Sequence, residues 1–349
     1  MEIMSYNSFK TCRKCSLGLI FLLFFQYSFA QLDFSRVTAS ITKYNKTLGK
    51  DYVVVVHKEA KNIFLKETED FQLKTPVPIA SSSKWLTAAL VMIFVDEGKI
   101  QLDDPVSKYI PVFEKYMKGY ITIRHCLTHT TGIDGDALAI LKIIQKSKFE
   151  NLEEEVNYFA AKKSIVDNPG SHFSYNGIGL NIAGRVLEIV TKKSFERIAV
   201  EKLFKPLGMR STSFAGESEL TNPSGGAVSS AFDYINFMQM ILNKGTFNGK
   251  RILSEKSVAE ILTNQFPDAI IRNTPEVAKG FQYAMGNWIE EKNESNQGVV
   301  FSCPGLFGAW PWIDLDKKYV AIILSKNLLS TEKKEVYTAI KKNIDQAIE

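Results

Sequence analysis

Ser81 and Lys84 are the two residues whose types and spacing point most directly to covalent chemistry. They are the first and last residues of the run Ser81-Ser82-Ser83-Lys84. A separation of three residues places both side chains on one face of a helix. Burial lowers the pKa of a lysine, so that its amine can accept the proton of a serine nucleophile. If Ser81 opens the helix, its free N–H and the positive helix end would stabilise an oxyanion. The pattern indicates acyl transfer, although a serine-rich helix cap before an exposed lysine has the same four letters.

The segments around Ser81 predict the elements that would hold it. Apolar side chains cover nearly the whole circumference of Ser82–Glu97, which is typical of a helix buried in the core. Gly98 follows where a helix-ending glycine is expected. Upstream, the β-branched run Tyr52–His57 predicts a strand, and Asn62–Leu65 predicts its hairpin partner.

The rest of the chain predicts helices in the middle and strands towards the end. Helical patterns joined by long loops run from about 100 to 270, and a charged amphipathic helix is predicted over Ser330–Ile348. Between these regions, strand patterns occupy Phe281–Ile289, Gly298–Ser302, Phe307–Asp314 and Tyr319–Leu324. Strands at both ends predict an α+β fold with one sheet built from both termini. We expect a sheet domain over 31–85 plus 271–349, and an inserted helical domain over 86–270.

The first thirty residues have the features of a secretory signal peptide. Lys10, Arg13 and Lys14 precede the apolar run Leu17–Phe25, and a small-x-small cleavage site ends at Ala30. An uncleaved anchor is the alternative. We therefore expect an exported protein, periplasmic or extracellular, whose mature chain has no further apolar run long enough to span a membrane.

The charge of the expected mature chain argues against nucleic-acid binding. Removing residues 1–30 takes away three bases and one acid, which leaves 40 bases against 37 acids. Nucleic-acid-binding domains carry a clear basic excess on one face, and no arginine-rich stripe is present. We expect a small-molecule or peptide substrate as the partner.

Five segments, in the same order, closely resemble the serine β-lactamase and penicillin-binding-protein superfamily, above all its class C and carboxylesterase-like branch. They are Ile79–Leu90, Leu102–Val106, Ile121–Gly132, Gly225–Ser230 and Gly249–Ser254. The resemblance extends from about residue 50 to 327. It implies an antiparallel sheet from both termini, flanked by helices, with an all-helical insertion. It also implies that Ser81 is the nucleophile and Lys84 its base.

The second catalytic motif of that superfamily is Tyr-x-Asn, and its counterpart here is Tyr175-Asn176-Gly177. Tyr175 matches the tyrosine, whereas Gly177 stands where the asparagine is found. The resemblance implies that the Tyr175 phenol relays a proton between Ser81 and the leaving group. A charged Lys84 beside it would lower the pKa of the phenol and favour that role. A tyrosine packed in a loop before a helix is the structural alternative.

The third motif, Lys-Thr-Gly or His-x-Gly, corresponds to Cys303-Pro304-Gly305. Cys303 replaces the basic residue, while Gly305 keeps the glycine that permits close approach. The resemblance implies that the N–H groups of Ser81 and Leu306 form the oxyanion hole, and that Gly177, Cys303 and Gly305 line the substrate cleft. A neutral thiol cannot pair with a substrate carboxylate, so esters or amides without one are favoured.

The sequence leaves three functional hypotheses open and implies no cofactor. The first is an exported serine hydrolase acting through an acyl-enzyme on Ser81. The second is a D,D-peptidase or β-lactamase, and the third is a catalytically idle relative that binds peptidoglycan fragments or a protein. His125 and His129 have the spacing of a helical metal pair, but no acid follows at metalloprotease spacing. We therefore expect no metal.

Overall fold

The centre of the fold is an antiparallel sheet that joins the two ends of the chain. The structure is a computed structural model that describes residues 32–135, 149–215 and 221–349. Its seven-stranded sheet has the order β2-β1-β13-β12-β11-β10-β9, and every neighbouring pair is antiparallel. These strands are β1 (Tyr52–Lys58), β2 (Lys61–Glu67), β9 (Gln282–Tyr283), β10 (Trp288–Lys292), β11 (Gly298–Ser302), β12 (Trp310–Asp314) and β13 (Tyr319–Ser325).

In the described part of the chain, six short strands form three further pairs outside the large sheet. β3 (Val77–Pro78) pairs with β5 (Val228–Ser229), and β6 (Thr246–Phe247) pairs with β7 (Lys250–Arg251), both antiparallel. β4 (His172–Ser174) and β8 (Ile270–Asn273) are parallel. The pairing of β3 with β5 and of β4 with β8 brings segments that are distant in sequence to the two sides of Ser81.

Helices cover both faces of the large sheet. One face packs its alternate side chains, such as Val54 and Ile323, against the first and last helices of the described chain. The opposite face, which includes Val55 and Ile322, belongs to the main core with the helix that follows Ser81. Period-two alternation along each strand therefore supplies two apolar layers.

The helices between the sheet-forming segments build the remainder of the main core. Among the described residues, no helix combines the length and apolar character needed to cross a membrane. The helices are α1 (Ser35–Lys43), α2 (Asn45–Leu48), α3 (Ser83–Asp96), α4 (Val112–Lys115), α5 (Ile123–Leu127), α6 (Leu152–Lys162), α7 (Ile178–Thr191), α8 (Phe195–Ala199), α9 (Lys205–Leu207), α10 (Ala231–Leu242), α11 (Glu255–Ile261) and α12 (Thr331–Ile348).

The predicted α+β class, with an antiparallel sheet from both ends of the chain, is confirmed. α3 is buried along Ser83–Phe94, as its apolar circumference predicts. The boundaries proposed at 85/86 and 270/271 stay a prediction, because residues 34–349 form one compact unit. The signal peptide predicted over residues 1–30 lies outside the described residues.

Two of the predicted strands are shorter than their sequence patterns. Phe307–Asp314 is a strand only from Trp310, because Gly308 donates to the Gly305 carbonyl in a turn (3.0 Å). The pattern over Phe281–Ile289 is broken by a second turn, which the Ala284 N–H closes on the Asn287 carbonyl (2.9 Å). Alternating apolar residues indicate strand texture but do not encode where the backbone must bend.

Gly286 explains why the second turn is needed. Its φ is +75°, and a Cβ at this position would lie 2.5 Å from the Lys84 carbonyl oxygen and 2.9 Å from the Ala88 Cβ. The sheet can therefore touch the first turn of α3 only where the chain has no side chain. This contact holds the first turn of α3 against the sheet.

We expect Gly286→Ala to destabilise the protein more than Gly249→Ala does. Both glycines have φ of +75°, but a Cβ at Gly249 meets nothing within 4 Å. Each substitution incurs the left-handed backbone cost of about 1–2 kcal/mol, and Gly286→Ala adds an overlap cost of about 1–3 kcal/mol. Urea unfolding of the two variants measures the difference. Equal free energies of unfolding would show that α3 does not depend on this contact.

Candidate active site

Ser81 lies at the entrance to α3, in a 3-10 turn over Ala80–Ser82. Ala80 has φ of +45°, a left-handed conformation that is strained for a residue with a side chain. The turn is held because Ser83 Oγ donates to the Ala80 carbonyl (2.6 Å) and accepts from the Ala227 N–H (3.0 Å). Ser81 itself is 9% exposed, so the surrounding structure holds its hydroxyl at the end of a buried helix.

Lys84 lies one turn into α3 and points its amine at Ser81. The Nζ atom is 3.1 Å from Ser81 Oγ and 2.7 Å from the Ser224 carbonyl oxygen. The side chain is buried, and this desolvation lowers the pKa of Lys84 to about 8. A substantial fraction of the amine is therefore neutral near physiological pH and available as a base.

Tyr175 faces the same pair from the loop before α7. Its phenol interacts with the Ser81 side chain, and Lys84 Nζ lies 4.8 Å from its ring centroid. The expected lowering of the phenol pKa is wrong, because burial raises the pKa of Tyr175 well above its usual value. Tyr175 is thus neutral near physiological pH, and its hydroxyl can both donate and accept a hydrogen bond.

The backbone and ring of Tyr175 are fixed by separate contacts. Asn273 on β8 accepts from the Tyr175 N–H (3.1 Å) and donates its side-chain amide to the Tyr175 carbonyl (3.0 Å). The ring packs between His129 and Trp288, with centroid separations of 4.5 and 5.3 Å. A parallel two-stranded pairing therefore positions the phenol.

His129 is a structural partner of Tyr175, since both of its ring nitrogens have partners. Nδ1 accepts from the Asn176 N–H (3.4 Å), which leaves Nε2 to donate to the Tyr283 hydroxyl (3.0 Å). Burial and the nearby Lys84 hold the pKa of His129 well below its usual value. His125 Nδ1 accepts from the Thr122 N–H (3.1 Å) in a capping box. In the structure, His125 and His129 therefore both serve as hydrogen-bonding partners within the protein.

Gly177 leaves room that Ser224 occupies. A Cβ at Gly177 would lie 2.6 Å from Ser224 Oγ, and Ser224 is buried. Its carbonyl is the acceptor for Lys84, and its hydroxyl donates to Asn222 Oδ1 (2.8 Å). The space beside Gly177, where Tyr-x-Asn would place the asparagine side chain, is therefore occupied by the side chain of Ser224 from the segment before β5.

Cys303, which directly follows β11, supports the turn over Ala80–Ser82. Its buried Sγ lies 3.2 Å from the carbonyl oxygens of Ser81 and Gly286, and its own carbonyl accepts from Ser82 Oγ (2.5 Å). Burial raises the pKa of the thiol to about 12, so Cys303 is neutral. The thiol contacts the protein backbone, and its predicted contact with substrate stays a prediction.

Gly305 and Leu306 follow in the turn between β11 and β12. A Cβ on Gly305 would lie 2.1 Å from the Ile79 carbonyl oxygen, so this turn packs directly against the segment that leads into Ser81. Leu306 accepts from the Leu329 N–H through its carbonyl (2.6 Å). The oxyanion role of the Ser81 and Leu306 N–H groups and the substrate contacts of Gly177 and Gly305 stay predictions.

The structure brings Ser81, Lys84, Tyr175 and Cys303 into one cluster and adds a residue that the sequence did not single out. The Ser224 carbonyl accepts from Lys84, but a backbone carbonyl leaves no signal in residue types. The one sequence signal near Ser224 is the adjacent Gly225-Gly226 pair, because paired glycines are typical of a tight turn.

Known proteins resemble this chain in sequence and in fold. The family model described as Beta-lactamase matches residues 39–342. A Bacteroides dorei protein described as a candidate β-lactamase has a solved structure with a TM-score of 0.80 and 26% identity, covering 91% of this chain and 99% of that one. EstCE1, described as a hydrolase with promiscuous acyltransferase activity, shares the fold with a TM-score of 0.71 at 17% identity, covering 88% and 97%.

A match to Protein flp of Staphylococcus aureus is more local. The two sequences are 30% identical over 143 residues, which is 40% of this chain and 28% of that protein. The chain therefore matches little more than a quarter of the length of this relative.

We expect the rate of Ser81 acylation to rise with pH and to level off above about pH 8. The pKa of Lys84 is about 8, so if its neutral amine accepts the Ser81 proton, the rate should rise roughly tenfold per pH unit below that value. Burial raises the pKa values of Tyr175 and Cys303 and lowers that of His129, so all three move away from the pH range in which Lys84 titrates. Stopped-flow bursts with an activated ester between pH 5.5 and 9.5 measure the profile. A flat profile across this range would remove Lys84 from the role of base.

Proposed function

The chain belongs to the β-lactamase family, and we propose that it acts there as a serine hydrolase that cleaves an ester or an amide through an acyl-enzyme on Ser81. The observation that carries the proposal is the 3.1 Å contact between the buried Lys84 amine and Ser81 Oγ. A lysine with a pKa of about 8 beside a serine hydroxyl is an arrangement that activates the nucleophile.

Acylation uses Lys84 as the base and Tyr175 as the proton relay. Ser81 Oγ attacks the substrate carbonyl while its proton passes to the Lys84 amine, and the new oxyanion accepts hydrogen bonds from the Ser81 and Leu306 N–H groups. The tetrahedral intermediate then collapses, the bond to the leaving group breaks, and the leaving group receives a proton from Lys84 through the Tyr175 hydroxyl.

Deacylation repeats the same steps with water as the nucleophile. Through the Tyr175 hydroxyl, the neutral Lys84 amine accepts a proton from water as the water attacks the acyl carbon. The bond from the acyl carbon to Ser81 Oγ then breaks, Ser81 Oγ takes the proton from Lys84, and the acid is released. Every proton transfer is assigned to a side chain of this chain, so the proposal names no cofactor.

Cys303 favours substrates that carry no carboxylate beside the scissile bond. Its neutral thiol is turned to the carbonyls of Ser81 and Gly286, at the position where the third motif would otherwise supply a cation. A hydrogen bond to a charged partner contributes about 1.5–3 kcal/mol, and a carboxylate-bearing substrate would lack this contact here. Uncharged esters or amides, small or peptide-like, are the proposed substrates, ahead of β-lactams and D-alanyl-D-alanine peptides.

We expect p-nitrophenyl acetate to be hydrolysed with a kcat/KM at least about tenfold above that for nitrocefin, which carries a carboxylate. Ser81→Ala should reduce ester hydrolysis by roughly 10³-fold or more, as loss of a nucleophile does. Ser295→Ala, in an exposed turn, is the matched control and should retain wild-type rates. Ester hydrolysis that survives in Ser81→Ala would contradict the proposed function, and preferred hydrolysis of nitrocefin would overturn the substrate class.

We also propose that the protein is exported after cleavage near Ala30. The basic and apolar segments of residues 1–30 support this proposal. Expression of the full chain in a Gram-negative host should yield a periplasmic product whose N-terminal residue is Gln31. Intact mass and N-terminal sequencing measure it, and a full-length protein retained in the cytoplasm would contradict export.

A further inference from the structure

The segment Asn222–Ser224 is held against α3 by two hydrogen bonds. Thr87 Oγ1 donates to the Pro223 carbonyl (2.6 Å), and Lys84 Nζ donates to the Ser224 carbonyl (2.7 Å). Both donors lie on the buried face of the helix that carries the nucleophile. The Ser224 carbonyl is therefore a fixed acceptor for the amine of the base.

On its other side the same segment is held by α7 through Asn181. The Ser224 N–H is shared by two acceptors, Asn181 Oδ1 and Asn222 Oδ1, each at 3.0 Å. Asn181 Nδ2 donates to Glu155 Oε2 on α6 (2.7 Å). Asn181 is 3% exposed, so both ends of its amide are satisfied inside the protein. Hydrogen bonds on the two sides of Ser224 thus connect Glu155 to Lys84: Asn181 accepts from the Ser224 N–H, and Lys84 donates to the Ser224 carbonyl.

Glu155 determines which way the Asn181 amide points. An ionised carboxylate only accepts hydrogen bonds, so it selects the NH₂ end of Asn181 and leaves the oxygen for the Ser224 N–H. Partial burial raises the pKa of Glu155 to about 6, and the carboxylate is ionised above that pH. Glu155, the last member of the acidic run Glu153-Glu154-Glu155, therefore bonds into the protein.

The direction of the Ser224 carbonyl matters for the chemistry at Ser81. A neutral amine has two N–H bonds and one lone pair, and the lone pair must face Ser81 Oγ to accept its proton. A carbonyl at 2.7 Å takes one N–H and so orients the remaining tetrahedral positions. Gly177 offers no side chain for this purpose, and Ser224 Oγ occupies the space where its Cβ would be.

We propose that Asn181, oriented by Glu155, is a positioning residue for Lys84: it fixes the Ser224 carbonyl that aims the lone pair of the amine at Ser81. This inference rests on the proposed function of the site. Neither residue touches the reacting atoms, so their loss should slow acylation without weakening substrate binding.

The first test compares Asn181→Leu with Asn236→Leu. Asn236 is a second buried asparagine, whose Nδ2 donates to the Leu207 carbonyl (3.0 Å) in a contact separate from the hydrogen bonds described above. We expect Asn181→Leu to lower the acylation rate constant for p-nitrophenyl acetate roughly 10–100-fold, since misplaced groups lose rate on this scale. The half-saturation concentration should stay within about twofold of wild type, and Asn236→Leu should leave both constants unchanged.

A second pair of variants tests the same hydrogen bonds by exchanging the donor and the acceptor between residues 155 and 181. In Asn181→Asp the new carboxylate can accept from the Ser224 N–H but repels Glu155, and acylation should fall about tenfold or more. Adding Glu155→Gln gives the second residue an NH₂ group that can donate to the aspartate. The double variant should recover to within roughly threefold of wild type, which a general loss of stability would not produce.

A third measurement follows Lys84 without any turnover. In protein labelled with ¹⁵N on its lysine side chains, the Nζ signal absent from Lys84→Arg identifies Lys84. That signal should shift in Asn181→Leu and stay in place in Asn236→Leu. An unmoved signal, or equal acylation rates in the two variants, would overturn the positioning role. If the wild type forms no acyl-enzyme, the proposed function fails, and the Nζ signal alone decides whether Asn181 positions Lys84.

Discussion

The burial of the Lys84 amine is the constraint on which the rest of the site depends. A charged ammonium is costly to remove from water, and the partners of Lys84 are neutral: the Ser81 hydroxyl, the Ser224 carbonyl and the Tyr175 ring. The protein therefore holds the amine where its neutral form is readily available. The long apolar helix α3 makes this possible, because its first turn lies inside the core.

The close contacts around α3 follow from that requirement. Gly286 and Gly305 allow the sheet and its connecting turn to touch the backbone at Lys84 and Ile79, where any side chain would overlap. Cys303 adds a thiol against the Ser81 carbonyl, and Ser224 fills the space beside Gly177. Gly177 and Cys303, the two positions that depart from the family motifs, are therefore both accommodated by the packing around Ser81. A buried, neutral Cys303 in place of a cation is what directs the proposed function towards uncharged substrates.

Much of this arrangement was predictable because it is local or periodic. The run Tyr52–His57 predicted β1, the apolar circumference after Ser81 predicted α3, and the order of motifs predicted the family. The contacts of Ser224 and Asn181 were not predictable, since a backbone carbonyl and a buried amide acquire their meaning only from residues distant in sequence. Likewise, the break at Gly286 depends on how close α3 lies, which alternation of apolar residues does not encode.

The most direct test of the account is active-site labelling with a fluorophosphonate, followed by peptide mapping of the adduct. We expect one adduct per chain on Ser81, formed at least tenfold faster at pH 8.5 than at pH 6.5 and strongly slowed in Lys84→Arg. A label on another residue, or labelling of Ser81 at an unchanged rate without Lys84, would contradict the claim that this lysine activates this serine.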